Sequence, residues 1–157
     1  MYGILFLMYR KELRLKILFR LYYNYYENTA RPLVTQNLKN EEEFTYIDPK
    51  QFYGDIIYLK NKGLINGTDV LGLSYPYTIS ISPLGIELVE TTIDEYKLFL
   101  KSLKEKDDSE ASQILAQIEA VEKTAEFTTV IKNIILEIWK RDNSRITNQF
   151  LLQYKKL

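Results

Sequence analysis

Residues 48–65, DPKQFYGDIIYLKNKGLI, and the stretch running on to Gly85, NGTDVLGLSYPYTISISPLG, decide how this chain folds. Asp48 can cap free helical amides and Pro49 suits a first turn, so a helix begins here. Phe52, Ile56 and Leu59 then recur at three-to-four spacing and form one apolar stripe. Gly63 ends the helix. Asn66-Gly67 is a turn dipeptide, and after it come two short runs, residues 70–73 and 77–81, separated by Ser74-Tyr75-Pro76. In the second run Thr78, Ser80 and Ser82 alternate with Tyr77, Ile79 and Ile81, the period of a half-buried strand. The two runs are expected to pair as a hairpin. Ser82-Pro83 repeats the start signal, and Leu84, Leu88, Tyr96, Phe99 and Leu103 carry a further helix to about Lys106.

Upstream, Leu13, Ile17, Leu21 and Tyr25, with Leu18 and Tyr22 beside them, predict a first helix over residues 10–27. Arg31-Pro32 and the polar stretch 36–43 interrupt it, and Leu33, Val34 and Leu38 predict one short helix in between. Downstream, residues 106–109 form a turn. A long helix then carries Ile114, Ile118, Val121, Ala125, Ile131, Ile134, Ile135, Ile138 and Trp139, and is weakest at Thr128-Thr129. Asp142-Asn143-Ser144 breaks the chain before a last helix over residues 146–154. The expected organisation is an apolar extension (1–9), a main domain (10–106) and a C-terminal helical segment (107–157).

At 157 residues the chain is long enough to bury one sizeable core. It has no Cys and no His, which removes thiol nucleophiles, Ser-His-Asp triads, imidazole acid-base chemistry and zinc ribbons together. Glu41-Glu42-Glu43 lacks the spaced partners of a metal site, and Glu95-Tyr96-Lys97 lies mid-helix without the strand-borne aspartate that a nuclease reading needs. No phosphate-cradling Gly loop or dinucleotide fingerprint occurs. The expectation is a binding protein, not an enzyme, with no cofactor and no metal.

Twenty-one basic and 21 acidic residues leave no net charge, but the distribution is uneven. Residues 1–20 carry five basic groups against Glu12, and residues 140–157 carry five against Asp142. The middle of the chain is acidic. The apolar run at residues 1–9 is far short of the ~20 residues a spanning helix needs, so neither a membrane span nor a secretion signal is expected and the default address is cytoplasmic.

Asp48-Pro49 opening a helix, the Phe52, Ile56, Leu59 stripe, Lys62-Gly63-Leu64-Ile65 leading to a strand, and Ile81-Ser82-Pro83-Leu84-Gly85 leaving a hairpin occur in an order that resembles the winged helix-turn-helix of small archaeal and phage regulators. The resemblance covers residues 10–106 and implies a winged helix; with the helical hairpin and last helix read over residues 84–157, the expected fold is α+β, mostly α, with a C-terminal helical hairpin extension. It also implies a dimeric, DNA-binding transcriptional regulator whose third helix enters the major groove of double-stranded DNA. With Phe52, Ile56 and Leu59 inward, Lys50, Gly54, Ile57, Tyr58 and Asn61 face outward, with Gln51 and Tyr53 on the flanks. These seven residues and Tyr75 are the expected DNA contacts.

The hairpin departs from that pattern, because residues 74–77 hold no Lys or Arg and Asp69 sits at their base. A protein-interaction adaptor on the same fold, using Tyr53, Ile57, Tyr58, Tyr75 and Tyr77, is the alternative. Apolar residues on more than one face of the long helix point to a homodimer through Ile131, Ile135, Ile138 and Trp139.

Overall fold

The computed structural model describes residues 10–122 together with residues 124, 126, 127, 129, 146, 149 and 150. In chain order the elements are α1 (Arg10–Glu27), β1 (Leu33–Val34), α2 (Thr35–Lys39), α3 (Pro49–Asn61), β2 (Ile65–Thr68), β3 (Thr78–Ile81), α4 (Pro83–Lys104) and α5 (Ser109–Val121). The class is α+β and mostly helical. Residues 1–9, the proposed dimer contacts Ile131, Ile135, Ile138 and Trp139, and most of the expected last helix lie outside the described residues. Two compact units divide at Val89 and Glu90, inside α4.

In the first unit α1 is the central helix. Leu13, Leu15, Ile17, Leu18, Phe19, Leu21, Tyr22 and Tyr23 are all buried. One stripe is what the sequence predicts; a helix apolar nearly all round is one that the fold surrounds. It packs on α3 and β3. Lys16 is drawn into this environment, and burial lowers its pKa against the opposing pull of Glu12.

The sheet is three-stranded and antiparallel in the order β1-β3-β2. It corrects two expectations. Leu33 and Val34 do not belong to a helix: they pair with Ile79 and Thr78, and only Thr35–Lys39 turns helical. Hydrogen bonds from the Thr35 amide to Tyr77 O (2.9 Å) and from its hydroxyl to Pro76 O (2.6 Å) extend the same seam. The strand before the loop is Ile65–Thr68, not residues 70–73.

Register explains the second difference. Ile65 sits opposite Ile81 and Gly67 opposite Ile79, which places the buried Ile65 beside two buried isoleucines, whereas Val70, Leu71 and Leu73 are exposed. Asn66-Gly67 lies in the strand because Gly67 is where Pro76 crosses closely; a Cβ there would stand 2.7 Å from the proline Cβ.

Two joints set α3 and α4 on the sheet. After α3, Gly63 takes φ +76°, Leu64 donates to Leu59 O and Gly63 to Lys60 O, both at 3.0 Å, which is the Schellman pattern. Ser82 then ties both helix ends together: its hydroxyl donates to Gly63 O at 2.6 Å and accepts from the Gly85 amide at 3.0 Å. Gly85 itself packs so tightly on Leu64 that a Cβ would lie 2.2 Å from the Leu64 carbonyl oxygen. The Ser-Pro-x-Gly segment is therefore a joint as well as a helix start.

On α4 the buried apolar positions are Val89, Ile93 and Leu100, while Leu84 is 53% exposed. The stripe of Leu84, Leu88, Tyr96, Phe99 and Leu103 is thus displaced from the buried one. In the second unit Tyr96 and Phe99 lie against Phe150, and Lys97 pairs with Glu122. Asp107, at φ +61°, ends α4, and Asp108 caps α5 by accepting from the Ala111 amide at 3.1 Å. Among the described residues no helix is long and apolar enough to cross a membrane.

Candidate functional site

The exposed side of α3 and the loop between β2 and β3 form the candidate site. Three fully buried side chains, Phe52, Ile56 and Leu59, fix the rotation of α3, and Phe52 meets Phe44 at 5.6 Å between ring centres. The start of the helix is fixed by Asp48, which accepts from the Gln51 amide at 3.2 Å, and by Pro49 in the first turn.

Asp55 is a fourth inward residue, 2% exposed, and its carboxylate takes the Arg14 Nε of α1 at 3.1 Å. The sequence carries a signal for it: Asp55 falls on the stripe between Phe52 and Ile56, and a carboxylate on a core face needs a cation from another element.

The outward set divides. Lys50, Gly54 and Asn61 are exposed, whereas Gln51, Tyr53, Ile57 and Tyr58 are half-buried. Tyr58 is engaged by α1, since the Arg14 guanidinium lies 3.6 Å over its ring, and Lys62 Nζ stands 5.6 Å from the same ring centre. Tyr53 is covered from the other direction by the loop: Tyr75 stacks on it at 4.0 Å and 14°. Both hydroxyls turn to one acceptor, Gln36 Oε1 of α2, at 3.0 Å from Tyr75 and 3.5 Å from Tyr53. Burial, and then the Tyr75 hydroxyl, push the Tyr53 phenol up to about 12. Gln36 was not among the expected contacts; nothing in the sequence marks it, because its role arises only when α2, α3 and the loop converge.

Electrostatically the face is sparse. Arg14 is paired with Asp55, Lys16 with Glu12, Arg20 with Glu41 and Lys60 with Asp69. The Arg20–Glu41 pair is two-pronged, at 2.7 and 2.9 Å. The basic first helix therefore spends Arg14, Lys16 and Arg20 internally. Lys50 and Lys62, near the two ends of α3, are exposed and make no ion pair with another described residue.

Beyond Asp69 the loop turns at Gly72, φ +92°, and presents Val70, Leu71 and Leu73 to solvent, Leu71 completely. Among the described residues no group of three or more acidic side chains is placed to hold a metal ion.

Comparison of the chain with known protein families, with characterised proteins and with solved structures finds no match.

Proposed function

We propose that this chain is a winged-helix protein that binds double-stranded DNA as a transcriptional regulator. The observation that carries the reading is the order α1-β1-α2-α3-β2-β3 with a β1-β3-β2 sheet. In it α3 is held by its inner face, and a polar outer face lies beside the β2–β3 loop. Lys50, Gln51 and Asn61 supply base-edge or phosphate contacts, Gly54 permits close approach of the backbone, and Lys62 adds a second cation. Two positive charges are few for a polyanion, so the protein acts as a homodimer that doubles them on two half-sites. Ile131, Ile135, Ile138 and Trp139 are the proposed pairing residues.

Charge reversal tests the reading. Lys50→Glu with Lys62→Glu should abolish retention of duplex DNA at low salt, and Lys101→Glu on the exposed side of α4 should leave it intact. Equal retention by all three proteins would reject α3 as the contact helix.

The second reading, a protein-interaction adaptor on the same framework, is favoured by one observation: the apolar loop of Val70, Leu71 and Leu73 carries no cation and its Asp69 is neutralised by Lys60. On that reading Leu71→Ser disrupts a purified partner complex, whereas a DNA-binding α3 tolerates it.

A further inference from the structure

The stack of Tyr53 and Tyr75 and their shared acceptor redistribute roles within the proposed interface. Each ring covers a face of the other, and the two hydroxyls converge on a single amide oxygen. These tyrosines are therefore poorly placed to donate to a ligand. Gln36 is exposed, and with its oxygen occupied by phenols its amide nitrogen, which carries two N–H donors, is directed away from them. The group is neutral, held from three separate elements, and next to the outer face of α3. A donor oriented in this way suits an anionic oxygen, and phosphate is the anionic oxygen of duplex DNA.

We infer that Gln36 binds a DNA backbone phosphate through its side-chain amide, with Tyr53 and Tyr75 acting as positioning residues that fix the amide and hold the loop against α3. The inference rests on the DNA-binding reading and adds a contact residue outside α3. A consequence is that α2, α3 and the loop approach DNA as one preset surface, because the loop is tied down at Tyr75 through the stack and the hydrogen bond.

The test uses the full chain, a labelled mixed-sequence duplex and fluorescence anisotropy across a salt series. Gln36→Met should weaken binding roughly tenfold, the scale of one hydrogen bond to a charged group, and leave the slope of affinity against salt unchanged because no charge is lost. Lys50→Ala should instead lower that slope by about 0.9 for each subunit that contacts the duplex. Tyr75→Phe keeps the ring stack and loses the bond to Gln36 together with the hydroxyl's contact to Tyr53; roughly threefold weaker binding with unaltered thermal stability is expected, on the scale of a small part of one hydrogen bond. A duplex carrying one neutral methylphosphonate at the contacted position should cost the wild type and not Gln36→Met.

If Gln36→Met binds as the wild type does while Lys50→Ala is weakened, Gln36 is no contact and this inference falls alone. If the wild type does not bind duplex at low salt, the DNA reading and the inference fall together.

Discussion

Gly85 lacks a side chain because there is no space for one: a Cβ would meet the Leu64 carbonyl oxygen at 2.2 Å and Ile81 Cγ1 at 2.7 Å. Gly54, on the outer face of α3, has nothing within 4 Å of its built Cβ. The two glycines should therefore respond oppositely to alanine. Gly85→Ala is expected to cost about 2–3 kcal/mol by overpacking against backbone, and Gly54→Ala to add about 0.5–1 kcal/mol by restricting the unfolded chain within a helix; urea unfolding midpoints check both. The phenols give a pH test at the same scale. Burial pushes Tyr53 up to about 12 and raises Tyr23 as well, so the folded chain keeps protons that the unfolded chain releases near pH 10. Stability from these groups is present below about pH 10 and is lost as pH rises through the folded pKa. Lys16 and Lys39, whose pKa values are lowered by burial, act in the opposite sense, so the comparison is differential. Tyr53→Phe and Tyr23→Phe should each lose less stability than the wild type between pH 9 and pH 12, a range set by the usual phenol value near 10. Identical pH profiles in all three proteins would contradict the assignment.

At the scale of elements, the pairing of α1 with α3 is the joint that orients the candidate site. Arg14 serves two partners on α3 at once, the Asp55 carboxylate and the Tyr58 ring. Arg14→Ala takes the guanidinium from a carboxylate that is 2% exposed and should cost about 3 kcal/mol, whereas the double change Arg14→Met with Asp55→Leu should recover most of it. A double-mutant cycle by chemical denaturation reads the coupling. This joint also marks how far the sequence could be read. The start, stripe and stop of α3 were legible because each depends on near neighbours: a cap three residues from its amide, an apolar repeat of one helical turn, a glycine at a left-handed position. The strand at Ile65–Thr68 was not, since Asn66-Gly67 is a turn signal locally and becomes strand only through its pairing with β3 and the crossing of Pro76. Leu33 and Val34 failed for the same reason: their partners, Ile79 and Thr78, lie 46 and 44 residues further along the chain, and local spacing cannot show them. In the site, Lys50, Gly54 and Asn61 emerged where helical geometry put them, while Tyr53, Tyr58 and Tyr75 were drawn into contacts with other elements that periodicity does not encode.

For the whole molecule, a net charge of zero conceals an uneven use of charge. Four cations of the first unit are tied to carboxylates, which adds definition to the fold and removes attraction for a polyanion. Among the described residues, the outer side of α3 keeps two lysines near its ends, polar groups between them and a neutral amide beside them. On the proposed DNA-binding homodimer, such a surface should bind DNA weakly as a monomer and gain most from being doubled, so affinity should fall with dilution as the proposed dimer dissociates. The direct measurement is the equilibrium affinity of the full chain for a mixed-sequence duplex across a salt series. A DNA-binding α3 should give affinity at low salt whose logarithm falls linearly with the logarithm of salt, with a slope that drops by about 0.9 per contributing subunit in Lys50→Ala. Affinity that is absent at low salt, or that does not change with salt, would contradict it.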